Sequence, residues 1–106
     1  MTNSEKKVHL REYRIQQSKI LRMTEILQKY PNEAERCREK IRDAWQVREG
    51  IENEILSLQD NMLREILAQK YLCGHTLGQI AERMNYSKRQ IERLHVKALE
   101  HLEIAG

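Results

Sequence analysis

From Ala34 onward the apolar positions advance in alternating steps of three and four, through Ala34, Cys37, Ile41, Ala44, Arg48, Ile51, Ile55, Leu58 and Met62. This is a heptad seam sustained over four repeats, which predicts a long amphipathic helix with coiled-coil character. It runs through Gly50, which costs about 1 kcal/mol relative to Ala but need not break a helix. Before it, Tyr13, Ile20, Met23, Leu27 and Tyr30 fall on a second stripe of 3.5-residue spacing, with Gln16 at one seam position. That stripe predicts a first helix from about Ser4 to Tyr30, capped by Ser4 with Glu5 in the first turn. Pro31 ends it, because the residue before a proline avoids the helical region, and Asn32 is placed to cap the next helix. Two amphipathic helices with so short a joint predict an antiparallel hairpin, the second helix longer than the first. Arg48 in the seam, beside Trp45, points either to a second chain or to a partner within the same chain.

Near Ser57 to Asn61 the pattern changes. Met62, Leu63, Ile66, Leu67, Tyr71 and Leu72 are denser, Asp60 can cap a new helix, and Cys73-Gly74 can close it. A break near Asp60 is expected, giving residues 1–59 as the hairpin and 60–106 as a second unit. Within that unit Thr76 is followed three residues later by Gln79, and Ser87 three residues later by Gln90. Both are capping boxes, and Tyr86 can staple onto Ile91. The spacing predicts a helix of about two turns, a short turn and a longer helix. Ile80, Ala81 and Met84 share a face of the first, and Ile91, Leu94 and Ala98 a face of the second. Ala81 is small where the two would cross, and Asn85 suits a left-handed backbone in the turn. The other face of the second helix carries Lys88, Arg89, Glu92, Arg93 and Lys97. This is helix-turn-helix geometry, with Ser87 and the first two turns aimed at a major groove. The last residues, Glu103 to Gly106, are expected to fray.

Composition agrees with helices: one Pro, four Gly and no Phe in 106 residues, of which 33% are charged. The fold class read from these patterns is all-α. The formal net charge of +3 is compatible with nucleic acid without demanding it. Nor is the charge concentrated in the motif. Residues 57–106 carry seven Lys/Arg against six Asp/Glu, whereas the first thirty carry seven against three. Lys6, Lys7, Arg11, Arg14, Lys19 and Arg22 make the first helix basic, as a solvated face or as a contact for phosphate or an acidic partner. The N-terminus carries no signal-like apolar run, no segment approaches bilayer length, and two cysteines without CxxC spacing are read as reduced thiols. A cytoplasmic, nucleoid-associated bacterial protein is the expectation.

Other chemistry is thin. Glu92 and His95 form one E-x-x-H, where a di-iron bundle needs two and further carboxylates. Cys73 and His75 make half a metal site at most, and Cys37 lies in the seam as core. The histidines form no H-E-x-x-H and no nucleophile–base pair, and there is no Gly-rich phosphate loop. No catalysis, metal or cofactor is expected.

The residues LREILAQKYLCGHTLGQIAERMNYSKRQIERLHVKALEHL, Leu63 to Leu102, resemble region 4 of bacterial RNA polymerase sigma factors, the part that reads the −35 promoter element. The resemblance lies in Lys70-Tyr71 at the end of the leading helix, the T-L-x-x-I-A-E-x-M segment, S-x-x-x-I-x-x-L and the closing K-A-L-x-x-L. It covers about forty residues and does not extend to the hairpin. A basic hairpin before such a motif is similar to small phage and prophage transcriptional regulators of the late-gene activator type. The resemblance implies base reading by Lys88, Arg89 and Arg93, phosphate proximity for Gln90 and Lys97, and a phosphate at the Thr76 helix N-terminus. Two positions depart from the family. Arg89 stands where many sigma factors have Glu, and Arg93 where Gln is usual, so a different target sequence follows; Arg at the first favours the O6/N7 edge of guanine.

The function expected is sequence-specific binding of double-stranded DNA by a transcriptional regulator. One motif gives a small footprint, so RNA polymerase or a homodimer through the hairpin is expected to add to it. The competing readings are a helical protein-interaction module docking on polymerase or a phage partner, and a DNA-recognition subunit in phage DNA packaging.

Overall fold

A threonine starts the chain's first helix. In the computed structural model, which describes residues 1–104, α1 spans Asn3–Lys29. Thr2 accepts from the Glu5 N–H at 3.2 Å while the Glu5 carboxylate accepts from the Thr2 N–H at 3.1 Å. Thr2, and not Ser4, is therefore the cap, because only Thr2 has a Glu three residues on to close a capping box. The Thr2 backbone N–H, and then the Thr2 hydroxyl, hold the Glu5 carboxyl below its usual range. α1 buries Leu10 and Tyr13. The predicted stripe left out Leu10, and Tyr30 at its other end is 60% exposed, since the helix stops at Lys29.

Pro31–Glu33 form a single 3₁₀ turn, and α2 spans Ala34–Leu56. Asn32 lies inside that turn, so it does not cap α2; Glu33 occupies the position and makes no side-chain cap bond. Proline at the start of the 3₁₀ turn has a φ already suited to a helical turn and no N–H to satisfy there. α2 has 23 residues against 27 in α1, so the second helix is the shorter. The seam continues in phase to Leu58 and Met62, but the helix does not. Ser57 Oγ turns back to the Glu54 carbonyl at 2.6 Å, and Asp60 accepts from the Leu63 N–H at 3.0 Å to begin α3, Asn61–Leu67. The expected break near Asp60 is present.

α1 and α2 pair antiparallel, and the seam is filled from within the chain: Cys37, Ala44, Ile51 and Ile55 of α2 are all buried. Arg48 belongs to the same filling. Its guanidinium donates to the Tyr13 hydroxyl at 2.9 Å and lies 4.9 Å from the Tyr13 ring centre and 4.4 Å from that of Trp45. His9 and Glu54 cross-link the hairpin lower down, 2.9 Å apart.

α3 runs on into a π-helical segment, Ala68–Leu72, which ends when the Cys73 N–H reaches the Ala68 carbonyl and the His75 N–H reaches that of Gln69. Gly74, at φ +81°, makes that reversal. α4 (Leu77–Met84) and α5 (Lys88–His101) follow. Two apolar clusters hold these parts together. Ile66, Ile80, Ala81 and Ile91 join α3, α4 and α5. Leu10, Tyr13, Ile51, Ile55, Leu58, Leu63, Leu67, Tyr71, Ala98, Leu99 and Leu102 join the open end of the hairpin to α3 and α5. The motif is thus seated on the hairpin by shared core. Ile104 packs against that core as well, so the expected fraying does not extend to it; Ala105 and Gly106 lie outside the described residues.

Candidate nucleic-acid interface

Both capping boxes form. Thr76 Oγ1 accepts from the Gln79 N–H at 3.1 Å and Gln79 Oε1 from the Thr76 N–H at 2.8 Å. Ser87 Oγ accepts from the Gln90 N–H at 3.2 Å, and Gln90 Oε1 accepts from the Ser87 N–H at 2.9 Å. Between the helices Asn85 adopts the left-handed conformation, φ 63° and ψ 38°, and the Tyr86 N–H closes the turn on the Ala81 carbonyl at 2.9 Å. The turn thus has three residues, Asn85 to Ser87. Buried Ala81 lies in the small cluster with Ile80 and Ile91, where α4 and α5 meet.

This frame decides what α5 shows to solvent. Ile91, His95, Ala98 and Leu99 point inward. Ser87, Lys88, Arg89, Gln90, Glu92, Arg93 and Lys97 are all exposed, as is Thr76 at the start of α4. Arg89, Arg93 and Lys97, spaced by four, lie along one uncovered side of the first three turns of α5, and Lys88 is exposed at the helix start, round the helix from Lys97. No ion pair among the described residues ties down any of these cations, Glu92 included as a possible partner. Gln90 is partly committed, since its carbonyl oxygen closes the capping box and only its amide N–H groups are free to donate. At α4 the box uses the N–H of Gln79, while Leu77 and Gly78 are the first-turn N–H groups without an intrahelical acceptor. They, more than the Thr76 hydroxyl, are the groups suited to an anion.

Two features of α5 were not anticipated. Val96 is 44% exposed and lies one heptad after Arg89 on the same face, an apolar contact of the kind that suits a thymine methyl. An exposed valine within a cationic face is the signal that would have found it. On the inner side His95 is buried, with Nε2 2.9 Å from the Tyr71 hydroxyl and the rings stacked. Burial, then the nearby Lys70, Lys7 and Arg11 charges, push the imidazole down to about 4, and burial pushes Tyr71 up to about 12. Both groups are therefore neutral at pH 7. Glu92 faces solvent while His95 faces Tyr71, so the E-x-x-H pair shares no site. Among the described residues no three His, Cys, Asp or Glu side chains gather as metal ligands. Cys73 is exposed and Cys37 buried, both free, and among the described residues no helix is long and apolar enough to cross a membrane.

Comparison with known families agrees with the geometry. The family model for sigma-70, region 4 matches residues 61–103, from the first residue of α3 to just beyond α5. No curated protein and no solved structure gives a significant match. The matched segment contains both capping boxes, the left-handed Asn85 and the whole exposed face of α5, and it excludes the hairpin. Residues 61–103 are accordingly a DNA-binding helix-turn-helix of the sigma-70 region 4 type.

Proposed function

We propose that the chain is a sequence-specific, double-stranded DNA-binding transcriptional regulator, of the sort encoded by phages and prophages, in which α5 lies in the major groove. The observation that carries the reading is the uncovered row Arg89, Arg93 and Lys97, with Lys88 exposed at the start of the same helix, none of them in an ion pair among the described residues and all opposite or beyond the buried face of α5. Backbone N–H groups at the start of α4 take one phosphate and Lys97 another, which sets register without reading sequence. Lys88, Arg89 and Arg93 reach base edges. Arg89, with its planar fork, pairs with the O6/N7 edge of guanine, and Val96 packs against a neighbouring base. RNA polymerase or a second copy docked on the hairpin supplies the rest of the footprint.

Selection of bound fragments from a random duplex pool gives the operator. Arg89→Ala then costs about 1–3 kcal/mol on that operator and relaxes preference at one base pair. An equal loss on every sequence would show that Arg89 touches only phosphate, and failure of the intact chain to bind any duplex at low salt would overturn the reading.

A further inference from the structure

Lys7, Arg11 and Arg14 are spaced by four and three along α1, which puts them on one stripe beside buried Leu10. The packing of α1 on the end of α3 brings that stripe against Lys70. Arg11, Arg14, Lys70 and Tyr71 line one hollow at the surface. Arg14 Nη1 donates to the Leu72 carbonyl at 3.4 Å, and its guanidinium lies directly over Gly74. Lys70 Nζ sits 5.6 Å from the centre of the Tyr71 ring. No carboxylate pairs with any of these four cations among the described residues.

Folding therefore drives like charges together, with no carboxylate in ion-pair contact among the described residues. The effect reaches their neighbours: partial burial and the Arg11 and Lys7 charges hold the Lys70 ammonium below the usual lysine range. Such a cluster is relieved by an anion. Its position indicates which anion. Arg14 lies on the loop at Leu72 and Gly74, and that loop leads two residues later into Thr76, the N-cap of α4.

We propose that Lys7, Arg11, Arg14 and Lys70 bind the phosphodiester backbone of the duplex that α5 reads, beside the phosphate held at the start of α4. This inference rests on the DNA-binding reading above. It makes the hairpin part of the interface, extending the footprint of a single helix-turn-helix along the duplex. Phosphate contacts of this kind add affinity and salt dependence and carry no sequence information.

The test uses the full chain with the double variant Lys7→Gln/Arg11→Gln, which leaves Arg14 on Gly74 and Lys70 on Tyr71. Binding is measured from low to moderate salt on the selected operator and on random duplex. Loss of two phosphate contacts lowers the log–log salt slope by about 1.8, and the single variant Arg11→Gln by about 0.9. Both sequences weaken alike, and preference at the Arg89 base pair is retained. Thermal unfolding of the variants should be unchanged or shifted upward, since a repulsion is removed; should the double variant not fold, the single variant decides. An unchanged slope while Arg89→Ala still relaxes preference overturns the cluster's role and leaves the α5 reading intact. Stabilisation by inorganic phosphate that the variants lose, with an unchanged slope, marks a free-anion site and also overturns it. If the intact chain binds no duplex, the α5 reading fails and takes this one with it.

Discussion

The Tyr71 hydroxyl and His95 Nε2, 2.9 Å apart in the interior, share one proton between the π-helical end of α3 and the inner face of α5. The pair fixes the roll of α5 about its axis at the point where its outer face is aimed. With the imidazole held down at about 4 and the phenol up at about 12, neither group charges near neutrality.

A pH dependence follows, and its sign is determined. The folded-state His95 value lies below the ordinary 6.5 of an unfolded chain, so between these values the unfolded state binds a proton that the folded state refuses. The stabilisation is complete above about pH 6.5 and is lost progressively down to about pH 4, by on the order of 2 kcal/mol. Urea unfolding across that range should show the slope, and His95→Gln should flatten it. Tyr71→Phe leaves the imidazole nitrogen buried without a partner and should cost about 1–3 kcal/mol at pH 7.

In the hairpin, Arg48 is expected to matter through shape as well as charge. Its guanidinium stacks on Tyr13 and Trp45 while donating to the Tyr13 hydroxyl. Arg48→Met should lose about 1–2 kcal/mol, the sum of a hydrogen bond and a partly buried cation–π contact. Arg48→Lys should recover only part, because an ammonium lacks the planar fork that serves two rings and a hydroxyl at once. Chemical denaturation of the three proteins checks the order.

Each capping box in the motif should carry a measurable share of stability. Ser87→Ala and Thr76→Ala should each cost about 1 kcal/mol, and Ser87→Gly only a few tenths. The readout is thermal unfolding, with DNA affinity falling further for Ser87→Ala, whose loss frays the turn that carries Lys88 and Arg89. Equal stability of Ser87→Ala and the parent would mean that the box contributes nothing in context.

What the sequence disclosed tracks how local each cause is. Thr76 with Gln79 and Ser87 with Gln90 act within a single turn, so they were legible, as was the need for a left-handed residue at Asn85. The box of Thr2 with Glu5 has the same signature, but Ser4 offers a rival cap two residues on, and only the folded chain decides between them. Asn32 failed as a cap because Pro31 had already turned the backbone. The seam in α2 was legible but its end was not, since Leu58 and Met62 keep the heptad phase across a break made by Ser57 and Asp60. The pairing of Tyr71 with His95 and the gathering of Lys70 with Arg11 and Arg14 join residues brought together only by helix docking. The basic face of α1 could be read from spacing, but not the cation it would meet. Nor does hydrophobic period mark the π-helical stretch, which arises where the Cys73 N–H selects the Ala68 carbonyl.

Gly74 separates two causes of strain at the junction between hairpin and motif. Its φ of +81° disfavours any side chain, and a Cβ there would stand 2.6 Å from the Arg14 guanidinium carbon. Gly74→Ala should therefore cost at least about 1–2 kcal/mol from the backbone alone. The guanidinium is the far end of a flexible side chain and can swing away, so the contact should add little to stability. It should, however, displace Arg14 from the Leu72 carbonyl. A double-mutant cycle with Arg14→Ala makes the division measurable. If the backbone dominates, the cost of Gly74→Ala is nearly the same in both backgrounds. If Arg14→Ala abolishes most of the cost, the guanidinium is held rigidly over the loop, and its place beside the α4 N-terminus is enforced by packing rather than chosen by a phosphate.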